Sequence, residues 1–212
     1  ITRIKIGNMI VLDGKKTSQE IKEEIKHKVT AMKERGIPVP HLAAVLVGND
    51  GASLTYVGSK VRSCDQIGFK STLIRLEEQI TEEDLMQEIE QLNQDETLDG
   101  FIVQLPLPKH INEERVLLSI NPRKDVDGFH PTNFGRMTLN LDAFIPATPY
   151  GMIQLLERYK VPTSGKHCVV IGRSHIVGRP ISILMSQKGP AGDATVTVAH
   201  SKTQNIEKLP RQ

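Results

Sequence analysis

Short apolar runs alternate with amphipathic segments along most of this chain, and that order constrains the fold more than any other property of the sequence. Between Lys16 and Arg35, the residues Ile21, Ile25, Val29 and Met32 recur at helical spacing. A capping box from Thr17 to Glu20 is expected to open that helix, with Gly36 and Pro38 closing it. Leu42 to Val47 is a continuous apolar run ending in Gly48, Asn49, Asp50 and Gly51, the pattern of a buried strand followed by a loop. A helix from about Ser53 to Ile67, a strand near Ser71 to Leu76, a helix from Thr81 to Asn93, a strand at Phe101 to Leu105 and a short helix from Asn112 to Ile120 continue the series. Strand and helix alternate, so a mostly parallel sheet is expected.

From Asn121 to Pro149 the periodicity fails and Pro, Gly and Asn accumulate, which predicts an active-site loop that also connects two domains. Thr148 is expected to cap the next helix, with Pro149 at its first position and Met152, Ile153, Leu155 and Leu156 leading to Tyr159. Beyond it, His167 to Ile171 reads as a strand, Gly172 to Gly178 as a turn, Arg179 to Gln187 as a helix and Thr195 to Ala199 as a second strand. Together these make one β-α-β unit. The expected architecture is α/β with two domains. Residues 9–147 form a three-layer-type N-terminal catalytic domain on a mostly parallel sheet, and residues 148–212 form part of a Rossmann-like nucleotide domain. A complete dinucleotide fold uses further strands and helices, so the second domain is expected to be unfinished at Gln212.

A chain of 212 residues can bury a core without disulfides or metals. Its net charge of +2 is the small difference between 27 basic and 25 acidic residues, interspersed along the sequence, so nucleic acid is not an expected partner. Cys64 and Cys168 are too few for a disulfide framework and lack the close histidine spacing of zinc sites. Free thiols in the reducing cytoplasm are expected. Apolar runs such as Ala43 to Val47 fall far short of the roughly 20 residues that span a bilayer. Ile1 to Asn8 lack the continuous apolar stretch of a secretory leader, and Met9 is the expected start.

Candidate chemistry gathers at five places. The turn Gly172-Arg173-Ser174-His175-Ile176-Val177-Gly178 lies between a strand and a helix, where backbone N–H groups and the helix dipole can hold a pyrophosphate. Its spacing departs from G-x-G-x-x-G, so an ordinary strand-to-helix turn is the competing reading. The second strand of this unit ends in His200-Ser201-Lys202, where an NAD site usually carries a carboxylate for the ribose hydroxyl. Arg173, Ser201 and Lys202 suit a 2′-phosphate instead, which favours NADP, although solvated surface cations are the commoner fate of such residues.

On the helix from Ser53, Leu54, Val57, Val61 and Cys64 form the core stripe, while Tyr56 and Lys60 share the flank beside it. An aromatic ring there can stack on a flat heterocycle, and a partly desolvated amine can exchange protons with a substrate nitrogen. The same spacing also describes ordinary surface packing. Gln104, at the end of its strand, is placed to orient a lysine amine or to satisfy loop backbone groups. In Lys124-Asp125-Val126-Asp127-Gly128, either carboxylate could accept hydrogen bonds from a pterin, or both could serve the turn.

These pieces, in this order, resemble the bifunctional methylenetetrahydrofolate dehydrogenase/methenyltetrahydrofolate cyclohydrolase (FolD) family. The similar segments are Gly51-Ala52-Ser53 leading to Tyr56-Val57-Gly58-Ser59-Lys60, Asp99 to Pro108, Lys124 to Phe129, and Val170 to Pro180. The resemblance implies oxidation of 5,10-methylenetetrahydrofolate with NADP, then hydrolysis of the methenyl product to 10-formyltetrahydrofolate in the same cleft. It implies Lys60 as the central catalytic residue, oriented by Gln104, with Tyr56 stacking on the folate and Asp127 anchoring the pterin. Gly172, Arg173, Ser174 and Ser201 would hold the nucleotide, and the protein would be a homodimer. Asp50-Gly51 stands where many members carry Asn-Pro, which should loosen the loop before Tyr56. Retention of Lys60 and Gln104 argues against a member that has lost the cyclohydrolase. A catalytically silent folate-binding fragment is the alternative from another class.

Overall fold

The computed structural model describes residues 11–211; the segment from Ile1 to Asn8 and the expected start at Met9 lie outside them. The first helix, α1 (Gly14–Glu34), leads into strand β1 (His41–Val47), helix α2 (Gly51–Ile67), strand β2 (Lys70–Leu76), helix α3 (Glu82–Gln94), strand β3 (Gly100–Val103) and helix α4 (Glu113–Ser119). The strands pair in parallel in the order β2-β1-β3, so β1 is central. Side chains alternate across a strand. Ala43, Val45 and Val47 therefore pack with Leu85, Ile89 and Val116 of α3 and α4, while Ala44 and Leu46 pack with Val57 of α2. Both faces of β1 are covered, which is why its run is apolar at nearly every position.

The capping box does not form. Asp13 caps α1 by accepting the Lys16 N–H at 2.9 Å, and Thr17 sits inside the helix, buried, with its hydroxyl donating to the Asp13 carbonyl. Both residue types can cap, and the one whose backbone is still extended does so. Strand β3 ends at Val103, two residues before the expected Leu105. Pro106 and Pro108 follow and have no N–H to continue a ladder.

The segment from Asn121 to Pro149 holds a helix that periodicity did not reveal, α5 (Pro131–Thr138). His130 caps it through its ring nitrogen, and Pro131 takes a first-turn position. Helix α6 (Ala147–Arg158) begins before the expected Thr148 cap: Pro146 is its N-cap and provides no side-chain bond. Pro149 still falls in the first turn, where a missing N–H costs nothing.

The β-α-β unit is present as strand β4 (His167–Ile171), helix α7 (Gly178–Ser186) and strand β5 (Thr195–Ala199), with β4 and β5 parallel. Ile181 and Met185 of α7 bury against Ile153 of α6, Ala191 and Ala194. A 3-10 turn (Ile206–Arg211) follows. Helix α6 and the β-α-β unit are tied back to earlier elements at several places among the described residues. Arg158 forms a fork with Glu24 at 2.7 and 2.8 Å, the Asp13 N–H donates to the Tyr159 hydroxyl, and Gln187 donates its side-chain amide to the Met137 and Thr138 carbonyls at the end of α5. No helix among the described residues is long and apolar enough to cross a membrane.

Candidate active site

Helix α2 is capped by Asp50, which accepts the Ser53 N–H at 2.8 Å, and its buried Val57 turns Tyr56 and Lys60 away from the core. Both line a cleft of about 370 Å³ beyond the carboxyl ends of the first sheet, together with Gln104, Asp127, Ile176 and Val177. Four residues from three parts of the sequence, Tyr56 and Lys60 of α2, Gln104 and Asp127, thus line one cleft. Ile176 and Val177, read from the sequence only as part of a phosphate turn, bring the second unit to the wall of the same cleft.

Lys60 Nζ lies 3.7 Å from Asp127 Oδ1, with the lysine side chain 44% exposed and the aspartate 22%. The amine is partly withdrawn from water, and the carboxyl is the more buried of the two groups. Burial pushes the Asp127 pKa up, the Lys60 charge opposes that, and the neighbouring Asp125 adds to it. Gln104 lines the cleft, but its side-chain N–H donates to the Leu105 carbonyl at 2.7 Å, and its Oε1 does not accept from Lys60. Tyr56 is 65% exposed, its ring free to meet a flat ligand.

The two carboxylates of the Lys124-to-Gly128 loop have separate fates. Asp125 is buried and accepts from the Phe129 and His130 N–H groups and the Asn133 side-chain amide. Only Asp127 faces the cleft. Asn133 was not found by sequence reasoning, because it lies in an aperiodic segment and its partner is reached only through the fold. A second cavity of about 400 Å³ shares Tyr56, Lys60 and Asp127 and runs back to Cys64 and Ile102. Cys64 and Cys168 are free, and burial raises both thiol pKa values, which keeps them largely protonated.

At the second unit, Gly172 follows β4 with φ 133°, and its N–H donates to the Ala199 carbonyl at 2.8 Å. Gly178 must be glycine, since a Cβ there would press on Gly172 and sit 2.7 Å from the Arg173 nitrogen. The open helix terminus expected for a pyrophosphate is partly occupied. Ser174 Oγ accepts the Val177 and Gly178 N–H groups at 3.2 Å, and the Ser174 carbonyl accepts that of Arg179. Arg173, Ser201 and Lys202 are exposed. Ile171 pairs with Ala199, so Arg173 and Ser201 each follow by two residues at the same end of the sheet, where parallel sheets gather ligands. No atom lies within 4 Å of a Cβ built on Gly172, so backbone and cations together leave room for an anionic group.

A three-layer parallel domain whose cleft is walled by the strand-to-helix turn of a β-α-β unit is the architecture of a two-domain enzyme that brings a substrate and a nucleotide together. Residues 12–127 match the family described as tetrahydrofolate dehydrogenase/cyclohydrolase, catalytic domain, and residues 146–212 match its NAD(P)-binding domain. The chain is 66% identical to the bifunctional protein FolD of Flavobacterium johnsoniae over 95% of its length and 68% of that relative. It is 60% identical to the bifunctional protein FolD of Flavobacterium psychrophilum, over 96% of this chain and 69% of the other. Among solved structures, the FolD dehydrogenase/cyclohydrolase of Campylobacter jejuni superposes with a TM-score of 0.89 at 45% identity, covering 95% of this chain and 70% of that one. The Trypanosoma brucei enzyme, solved with NADP cofactor and inhibitor, gives 0.86 at 32% identity, covering 94% and 67%. The chain belongs to the tetrahydrofolate dehydrogenase/cyclohydrolase family.

Proposed function

We propose that this protein oxidises 5,10-methylenetetrahydrofolate to 5,10-methenyltetrahydrofolate with NADP and hydrolyses the product to 10-formyltetrahydrofolate. The observation that carries this is the Lys60–Asp127 pair in a cleft walled by Ile176 and Val177 of the nucleotide unit. One cleft can then serve both reactions in turn.

Tyr56 stacks on the folate ring, and Asp127 accepts hydrogen bonds from pterin N–H groups. In the oxidation the residues chiefly position the substrate, because the folate nitrogen stabilises the cation left when the methylene carbon gives up its hydride. When bound, NADP supplies the hydride acceptor; Gly172, Arg173, Ser174 and Ser201 are the residues assigned to hold it. Ser174 acts there by shaping the turn, given the bonds its hydroxyl already accepts. In the hydrolysis, water adds to the methenyl carbon and loses a proton. As the C–N5 bond then breaks, the remaining O–H proton passes through the Lys60 amine to N5 and the formyl C=O forms, so the proton first lost by the water is the one released overall. Gln104 orients Lys60 once its amide turns from the Leu105 carbonyl.

The catalytic domain is assigned to residues 9–147 and the nucleotide domain to residues from 148 onward, which is supported by the separate sheets and the start of α6 at Ala147. The protein is assigned as a cytoplasmic homodimer, and a monomer mass at high concentration in light scattering would reject the dimer. The functional test is a paired assay. NADPH formation from methylenetetrahydrofolate and loss of methenyltetrahydrofolate absorbance are both expected, with Lys60→Met abolishing the second. Silence of the unmutated protein in both would overturn the assignment.

A further inference from the structure

We infer that Asn133, which stands outside the cleft wall, is a positioning residue that acts through Asp125 to hold Asp127 where folate binds. The inference rests on the functional reading above, since it concerns the substrate of that cleft.

The observations concern a loop held from both ends. Asp125 and Asn133 are 3% and 4% exposed, so each polar atom they carry must be paired inside the protein. The Asn133 amide nitrogen donates to Asp125 Oδ2 at 2.9 Å and to the Pro122 carbonyl at 2.8 Å. The Asp125 carboxylate accepts the His130 N–H at 2.8 Å and the Phe129 N–H at 3.3 Å. One amide group thus grips the loop before Asp127, and the carboxylate it binds grips the loop after it. On the strand side, the Phe101 N–H donates to the Lys124 carbonyl at 2.9 Å. On the other, Gly128 has φ +69° and lies so close to the chain entering α6 that a Cβ would be 2.7 Å from the Phe144 oxygen. Asp127 sits at the middle of this clamped loop, and the clamp sets its 3.7 Å approach to Lys60.

Removing the Asn133 amide leaves a buried carboxylate oxygen and the Pro122 carbonyl short of a donor, and the loop can satisfy both only by moving toward water. A shift of about 1 Å in a substrate-holding group costs heavily in binding and positioning. Asn133→Ala is therefore expected to weaken binding of tetrahydrofolate, a non-reacting ligand, by about tenfold in a calorimetric titration, with NADP affinity unchanged. In an Asp127→Ala background the same substitution is expected to weaken tetrahydrofolate no further, because a residue that acts through Asp127 has nothing left to act on. Asn133→Ser, which retains one donor, is expected to fall between the two and serves if the alanine variant does not fold. Equal tetrahydrofolate affinity in the variant and the unmutated protein would overturn the inference, as would losses that add in the double variant. If the unmutated protein itself fails to bind tetrahydrofolate, the functional reading falls and takes the inference with it.

Discussion

Asp127 is under opposing influences at the scale of a single residue. Burial raises its pKa and the Lys60 ammonium lowers it, with burial prevailing. The folded protein therefore holds the Asp127 proton to higher pH than the unfolded chain does, and this group's contribution to stability falls as pH rises from 3.8 through the folded value. Lys60→Met removes the opposing charge, so a carbon-detected NMR titration should place the Asp127 midpoint above 3.8 in the unmutated protein and higher still in the variant. A lower midpoint in the variant would show that Lys60 does not stabilise the carboxylate. Gly128 gives a second test. Its positive φ and its approach to the backbone of Phe144 and Pro146 leave no room for a methyl group, and backbone cannot swing aside. Gly128→Ala should lower stability by more than about 1 kcal/mol in denaturant unfolding. The residues of the Lys124-to-Gly128 loop by themselves leave either carboxylate open and the family resemblance points to Asp127; the structure puts Asp127 in the cleft and buries Asp125. That choice follows from the Asn133 contact, made by a helix absent from the periodic pattern.

At the scale of elements, the caps show how local chemistry and folded geometry divide the outcome. Asp13 and Thr17 both suit an N-cap, and the structure uses Asp13. Asp13→Ala should cost about 1 kcal/mol of stability through loss of the cap. Thr17→Val should cost through the buried hydroxyl bond to Asp13, not through a cap. Helix α5 is short and includes Pro131 and Gly135, so its own propensity is weak and its partners hold it. Asn133 secures one end and Gln187, from beyond α7, caps the other. Gln187→Ala is expected to lower the melting free energy by about 1 kcal/mol while leaving the cyclohydrolase turnover unchanged, since the side chain lies outside the cleft. A fall in turnover without a fall in stability would instead place α5 in the catalytic machinery.

Across the whole molecule, the central strand carries the first domain. Leu46 is 2% exposed between the sheet and α2, and Leu46→Ala should cost about 2–5 kcal/mol, measured by denaturant unfolding. The same substitution should loosen α2 and with it Tyr56 and Lys60. Apart from α5, the order of the strands and main helices, the two units and the parallel sheets were determined by the sequence alone, because apolar periodicity reports which faces each segment must bury. For the cleft, periodicity left Tyr56 and Lys60 on an exposed flank and Gln104 at a strand end with ordinary packing as the competing reading, and it was the resemblance of the four motifs that singled these residues out together with Asp127. Only the tertiary structure decided that Asp127 rather than Asp125 meets Lys60, that Gln104 bonds to its own neighbour, that Ser174 closes the terminus of α7, and that Ile176 and Val177 reach the first domain's cleft. Each depends on where a hydrogen bond finds its partner across the fold, and periodicity, which records burial, carries no information about distance between segments.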